Sequence, residues 1–376
     1  MQEDARVLRL LALLLAVTTP ARIAAQTETG TPPPSAILLA DGPHVFHEAG
    51  GTLLARWVSD GKAQQKRFAA GEPIELPQFS AFLGESLQLT PHETEPPIWP
   101  QPEKLIVISD VEGEYDAMMA FLRAHGVVDE DGSWAFGKNH LVSVGDMVDR
   151  GTNVTETLWH LLRLSKEAKE AGGHLHYVLG NHEVMMMGGD VRYTAQKYKD
   201  VAALFGIPTE GLLGADTELG RWFRTRNTVV RIGGYLFVHA GVSPGVAARE
   251  VDLITLNEVM RSVLGVPPTT IQDPNLGLLT WGRPGPLWYR GYFEAYSYDF
   301  GPRPSDEAMD TILENLGARS MVIGHTKVPE VTEVYPNRRV LAIDVPWATS
   351  KLAGGILIEG EKIHILDLQG RSRELK

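Results

Sequence analysis

Five short apolar runs rich in β-branched residues punctuate the chain, at 105–108, 141–144, 175–179, 235–238 and 320–323. Each is four or five residues long, lacks helical amphipathy, and is bounded by Gly or a polar residue, the pattern of a strand buried on both faces. Polar loops follow them: Ser109-Asp110-Val111-Glu112-Gly113, Gly145-Asp146-Met147-Val148-Asp149-Arg150-Gly151, Gly180-Asn181-His182-Glu183, His239-Ala240-Gly241 and Gly324-His325-Thr326. Helical material lies beyond several of these loops, as at 115–124 and 155–171. Strand, polar loop and helix in alternation predict an α/β fold with all five loops on the rim formed by the strand C-termini.

The flanking regions carry other patterns. Residues 44–46, 52–58 and 65–69 alternate with turns such as Ala49-Gly50-Gly51 and Asp60-Gly61, and predict a small antiparallel β module over 43–90, set beside the main domain to cover a sheet edge. Residues 91–103, with four prolines in 96–102, are expected to form a stiff linker. Residues 104–376 then form the main domain, closed by strands within 340–345 and by a hairpin within 353–368 split at Glu359-Gly360-Glu361.

The chemistry of the five loops is coherent. Asp, Glu, Asn and His supply oxygen and imidazole donors, and two cations about 3.5 to 4 Å apart can share a bridging carboxylate. Asp146 suits the bridge. Asp110 and Glu112 would complete one metal; Asn181, His239 and His325 would complete the other. A water between two such ions would be acidified to a nucleophile near neutral pH. An isolated Gly-Asp pair is ordinarily a turn, but turns do not require His, Asn and Arg at fixed offsets.

In this order, the motifs Gly-Asp-x-x-Asp-Arg-Gly, Gly-Asn-His-Glu, His-Ala-Gly and Gly-His-Thr resemble those of the phosphoprotein phosphatase family of calcineurin-like metallophosphoesterases. Gly180-Asn181-His182-Glu183-Val184-Met185 followed by Gly189-Asp190-Val191-Arg192-Tyr193 is most similar to the Shewanella-like phosphatases. The resemblance spans about residues 104–368 and implies a four-layer α/β/β/α sandwich. It implies Asp110 and Asp146 on the first metal and Asp146, Asn181, His239 and His325 on the second, with Asn181 also bordering substrate. His182 would be the general acid, oriented by Asp149, and Arg150 would clamp phosphate oxygens. Hydrolysis would proceed by in-line attack of a hydroxide held between the ions, without a phosphoenzyme.

One position departs from the family: Glu112 stands where the first motif ordinarily has His. Glu is a competent hard-oxygen ligand, and it lowers the formal charge of a loaded site from about plus two to about plus one. That favours oxygen-preferring ions, manganese first, with Mg, Fe, Ca or Zn as alternatives. A second phosphate-binding Arg is expected, with Arg290 in Gly285-Pro286-Leu287-Trp288-Tyr289-Arg290-Gly291-Tyr292 as first choice, then Arg192, then Arg283. The aromatics Tyr289, Tyr292, Phe293, Tyr296 and Tyr298 would wall the cleft, where they could flank a phosphotyrosine ring or stack a base. Histidines 125, 140, 160, 174 and 176 are assigned to local hydrogen bonds or the surface, and Met185, Met186 and Met187 to packing.

Composition then narrows the setting. A net charge of −12 leaves no expectation of a nucleic-acid partner. The chain has no Cys, which excludes a thiolate nucleophile and a disulfide framework. Residues 10–17 are apolar and 21–25 supply small residues, so 1–25 is expected to be a secretory signal peptide and 26–42 a flexible Pro- and Thr-rich segment. The mature protein would be periplasmic or secreted and free of the membrane. The reading is a metal-dependent phosphomonoesterase acting on a phosphorylated small molecule or protein. A dinucleoside polyphosphate or nucleotide hydrolase, and a non-catalytic metal-binding protein, are the alternatives.

Overall fold

The computed structural model describes residues 39–348 and 354–375; the leader expectation therefore lies outside the described residues. In chain order the strands are β1 (Asp41–His47), β2 (Leu53–Ser59), β3 (Lys62–Phe68), β4 (Ile98–Trp99), β5 (Leu105–Ile108), β6 (His140–Ser143), β7 (His174–Tyr177), β8 (Val229–Ile232), β9 (Tyr235–Val238), β10 (Ser320–Ile323), β11 (Thr332–Tyr335), β12 (Val340–Ala342), β13 (Gly354–Glu359), β14 (Lys362–Asp367) and β15 (Ser372–Glu374). They form two six-stranded sheets, ordered β11-β12-β10-β9-β8-β4 and β15-β14-β13-β5-β6-β7, and a separate three-stranded sheet, β1-β2-β3.

Alternation within each strand explains why the five runs are apolar at nearly every position. In β5, Leu105 and Val107 join Val142 of β6 and Phe237 of β9 in the layer between the sheets. Ile106 and Ile108 face the other way, toward helices Tyr115–Ala124 and Val154–Glu170. In β10, Val322 faces the inter-sheet layer while Met321 and Ile323 pack under helix Asp306–Asn315. Each central strand is thus buried on both sides, the signature of a sheet covered on both faces. The result is a four-layer α/β/β/α sandwich. Strands β5, β6 and β7 pair in parallel, as do β9 and β10, so their C-termini point to a common rim. The hairpin β13–β14 turns at Gly360, with φ of 61°, and β13 pairs antiparallel with β5.

Three boundaries differ from expectation. Strand β1 starts at Asp41, inside the segment expected to be flexible, because Asp41 is buried and accepts hydrogen bonds from His44 Nε2 (2.7 Å) and Thr155 Oγ1 (3.0 Å) while pairing with Lys197 Nζ (2.8 Å). The small sheet covers helices rather than a sheet edge: Trp159 Nε1 donates to Pro43 O, and Arg56 Nη2 donates to Phe205 O. The expected linker is part of the sandwich. Ile98 and Trp99 pair in parallel with Arg231 and Ile232 of β8, and Asn227 Nδ2 donates to Glu95 O. Two strand residues are too few to register as an apolar run.

The small sheet and the Pro-rich segment meet at Glu218, whose buried carboxylate accepts from His47 Nε2 (2.7 Å) and His92 Nε2 (2.9 Å). Burial opposes its charge, but the two imidazoles outweigh it and hold the carboxyl at about 2, below its ordinary 4.5. A carboxyl with a lowered folded pKa contributes stability above its unfolded value and loses it as pH falls through the folded value. The difference is on the order of 3 kcal/mol. Glu218→Gln is therefore expected to destabilise the protein at pH 7, and the gap from wild type to close between pH 5 and 2, read by denaturant unfolding. A gap independent of pH would show that Glu218 acts through packing alone.

Candidate active site

The five loops meet at the rim with strained backbones. Asp110 (51°), Glu112 (52°), Asp146 (55°), Asp149 (70°), Arg150 (57°) and His325 (63°) all have positive φ. These six are most of the ten non-glycine residues in that region among the described residues, a concentration of strain usual at functional sites. Glycines permit the close approach. A Cβ on Gly180 would collide with Asp146 Oδ1, and one on Gly324 would collide with Asp110 Oδ2 and Ser109 Oγ.

One set of donors converges at the centre. Asp146, His239 and His325 each place a ligand atom within 4.8 Å of the others, all buried. His239 Nδ1 donates to Val144 O (2.8 Å), so its Nε2 faces Asn181 Oδ1 (2.9 Å) and Asp146 Oδ2 (3.1 Å). A neutral imidazole would point a lone pair at two oxygen acceptors there. That convergence is repulsive unless a proton or a cation sits among the three atoms. Burial works against a charged His239, yet Asp146 and Asp110 raise its pKa to about 10. In His325, by contrast, burial and the charges of His239 and Arg290 depress the pKa well below the ordinary range, leaving it neutral and able to ligate. Asp110 completes the wall: its carboxylate accepts from His325 N (3.1 Å) and Ser109 Oγ (2.5 Å), and burial, reinforced by Asp146, raises it to about 6. Crowded buried carboxylates, an amide oxygen and two imidazoles fit divalent cations.

Beside this cluster stands a second arrangement. His182 Nδ1 donates to Asp149 Oδ2 (2.7 Å), and Thr194 Oγ1 donates to Asp149 Oδ1 (2.7 Å), fixing the ring so that Nε2 faces Asp146 Oδ2 at 3.7 Å. Burial opposes protonation of His182, but Asp146 and Asp149 together raise its pKa. Arg150 Nη2 lies 3.4 Å from His182 Nε2, so guanidinium and imidazole address one spot. The Tyr193 ring lies against both, 5.1 Å from His182 and 5.4 Å from the Arg150 guanidinium carbon.

Glu112, expected as a ligand of the first metal, shares the inner cavity with Asp110 and Asp146 and there meets two cationic side chains. Its Oε1 is paired with Arg150 Nη1 and its Oε2 lies 3.8 Å from Lys327 Nζ. Its loop crosses the Arg150 loop directly, with Gly151 N donating to Glu112 O (2.9 Å), which brings the two side chains together. Of the three candidate clamps, Arg290 borders the donor cluster, donating to His325 O (2.7 Å) and Thr326 Oγ1 (3.2 Å). Arg192 is bound to Asp190 (2.6 Å) and largely exposed, and Arg283 is bound to Asp299 (2.6 Å). Arg192 and Arg283 line an outer cavity of about 450 Å³ that shares Arg150, His182, Arg290, Tyr296 and His325 with an inner one of about 390 Å³.

The expected aromatic wall is mostly absent from this cleft. Tyr289 and Tyr292 are buried in the core, where Tyr292 OH donates to Val242 O (2.7 Å), Phe293 packs beside them, and Tyr298 projects fully into solvent. Tyr296 lines the cleft, together with Trp281 and Trp288, which the sequence reading did not single out. Two polar residues, Glu183 and Asp344, also had no role assigned from the sequence. Glu183 accepts from the backbone N–H of Gly180 (2.7 Å), Asp146 (3.0 Å) and Met147 (2.8 Å) and from Tyr177 OH (2.8 Å), bracing two loops at once. Asp344 is buried with Oδ2 unpartnered and lines the inner cavity with Lys327. Its signal was present: an apolar run, 340–343, ending in Asp.

A sequence profile of the calcineurin-like phosphoesterases matches residues 103–329. The fold is similar to the crystal structure of the cold-active protein-tyrosine phosphatase of a psychrophilic Shewanella, with a TM-score of 0.81 and 31% identity over 90% of this chain and 99% of that one. In sequence the chain is 25% identical to Shewanella-like protein phosphatase 2 of Arabidopsis thaliana, over 72% of this chain and 76% of the relative. A shorter stretch, 108 residues covering 28% of this chain and 34% of the relative, is 37% identical to a symmetrical bis(5'-nucleosyl)-tetraphosphatase of Methylococcus capsulatus. With its profile, its sandwich and its rim of converging loops, the chain belongs to the calcineurin-like phosphoesterase family, among the relatives of the Shewanella-like protein phosphatases, and is a hydrolase of phosphoesters.

Proposed function

We propose that the protein is a metal-dependent phosphomonoesterase whose substrate is a phosphorylated tyrosine or a similar aryl or alkyl phosphate, carried on a peptide or a small molecule. The observation that carries this reading is the His182–Asp149 pair with Arg150 at its edge, next to the Asp146, His239 and His325 donors. Asp110 and Asp146 would hold one cation, and Asp146, Asn181, His239 and His325 the other. Ions bound there would acidify the attacking water and neutralise phosphate charge. Arg150 presents a planar fork to the phosphate oxygens, and Arg290, beside His325, adds a second cation to the same cavity. His182 holds a proton on Nε2 for the departing oxygen, Asp149 keeping the ring turned and cationic.

A pure metal-binding protein has no need of the His182–Asp149 pair or of Arg150. A dinucleoside polyphosphate hydrolase would share the same donors, and the partial likeness to a tetraphosphatase keeps it in view. Extensive likeness to a tyrosine phosphatase favours the monoester. Turnover of phosphotyrosine, phosphoserine and dinucleoside tetraphosphate, compared at one metal concentration, decides: a kcat/KM highest on the tetraphosphate would replace the proposal. The ion is proposed to be manganese, and the site of action the periplasm or the medium, on the strength of residues 1–25. N-terminal sequencing of exported protein tests the latter.

Glu112 gives a further expected result. Because its carboxylate holds Arg150 and Lys327, Glu112→Gln should free the clamp without removing an ion. With Arg150 partly exposed, the pair is worth no more than about 1 kcal/mol, or roughly a fivefold tighter Ki for inorganic phosphate. Loss of a bound ion in Glu112→Gln would instead make Glu112 a ligand.

A further inference from the structure

Away from the cleft, where the Pro-rich segment crosses the edge of the sandwich, Glu95, His174 and His176 place one ligand atom each within 4.8 Å of one another. We propose that these three residues form a separate transition-metal site, of zinc type, that clasps residues 91–99 to β7.

Strand geometry builds the pair of imidazoles. His174 and His176 are two apart on β7 and so share one face, and Leu175 between them points into the opposite core. Glu95 arrives from the segment before β4, with Oε1 3.3 Å from His174 Nε2. Neither imidazole is satisfied as it stands. His176 is fully buried, yet its Nδ1 has no hydrogen-bond partner, and His174 Nε2, although 3.3 Å from Glu95 Oε1, is not aligned to make a hydrogen bond with it. An unmet buried polar atom costs about 1–3 kcal/mol, so an orphan on each of two adjacent histidines calls for a missing partner.

The surroundings prepare the right form of the ligands. His176 Nε2 lies 3.0 Å from His140 Nδ1; with the proton on Nε2, that hydrogen bond fixes the tautomer and leaves the unpartnered Nδ1 with a lone pair to give to a metal. Partners of this kind orient metal-bound histidines. The Trp99 ring covers the group, 4.3 Å from His174 and 5.0 Å from His176. On the outer side a cavity of about 730 Å³, lined by Glu93, Glu95, His174 and Arg226, gives water a route to a fourth coordination position.

Arg226 is also paired with Glu95 Oε1. It occupies one carboxylate oxygen. Two imidazoles with a single free carboxylate oxygen are too poor in oxygen for Mg or Ca and suit the imidazole-binding ions, zinc foremost. The site joins β7, at the end of one sheet, to the segment leading into β4, at the end of the other. Its expected effect is therefore on stability rather than on hydrolysis.

The full chain, stripped by chelator, equilibrated with Zn²⁺ and desalted, should retain one more zinc ion per chain than Glu95→Gln or His174→Gln. Zinc should raise the Tm of wild type by about 3 °C more than that of either variant. Co²⁺ should quench tryptophan fluorescence in wild type and lose most of that quench in Trp99→Phe. Equal zinc content in wild type and both variants overturns the site, as does a Co²⁺ quench untouched by Trp99→Phe. Should His174→Gln fail to fold, Glu95→Gln decides the zinc count alone, since Glu95 lies in a loop and is partly exposed.

Discussion

Asp146→Asn is expected to lower kcat by about a thousandfold or more, on the order of 4 kcal/mol of lost transition-state stabilisation. The residue has no substitute. Its Oδ1 accepts the backbone N–H of His182 (3.0 Å) while its Oδ2 faces His239 Nε2 (3.1 Å), so one carboxylate holds the His182 loop and the donor cluster together. Removing its charge leaves both proposed ions without a shared anionic ligand and puts a neutral amide beside His239 and Asn181. Metal analysis should show fewer ions retained than in wild type, while thermal unfolding still shows a cooperative transition. A variant that keeps its full metal complement and turns over within tenfold of wild type would remove Asp146 from the bridge.

His182→Asn should give a loss that depends on the substrate. General acid catalysis is worth on the order of 10² to 10⁴ when the departing oxygen needs a proton. The loss in kcat should fall in that range for phosphotyrosine and phosphoserine. On p-nitrophenyl phosphate, whose leaving group departs readily as an anion, the loss should stay under about tenfold. Asn is small enough for the site and keeps an N–H for Asp149, so the contrast reports the proton rather than the fold. Equal losses on all three substrates would make His182 a positioning residue.

Much of this geometry could be read from the chain. The five central strands are legible because two covered sheets bury both faces, which erases polar alternation and leaves plain apolar runs such as 105–108 and 320–323. The loops are legible because their residue types are chemically improbable as turns. Strand β4 was hidden, since Ile98 and Trp99 are only two residues between prolines and owe their pairing to β8. Side-chain direction was also hidden. Tyr289 and Tyr292 have the composition of a binding wall, but Tyr292 finds a buried carbonyl at Val242, and a satisfied hydroxyl is free to enter a core. Glu112 was assigned from its place in a motif, whereas its partner, Arg150, comes from another loop. The Asp190–Arg192 pair is local, two residues apart, and its bearing on the choice of clamp was open to inspection in the sequence. His174 and His176 were assigned to local hydrogen bonding; the structure leaves two of their nitrogens without it.

On the proposed mechanism, two divalent ions at the rim make this chain a phosphomonoesterase. That mechanism is tested most directly by titrating Mn²⁺ into the metal-stripped protein while following p-nitrophenyl phosphate hydrolysis, with Asp146→Asn as the parallel control. The expected result is no activity without metal, a rise that saturates only when two equivalents are bound at the rim, and no recovery in the control. Hydrolysis that persists in the stripped protein, or that no divalent ion restores despite full occupancy, would contradict it.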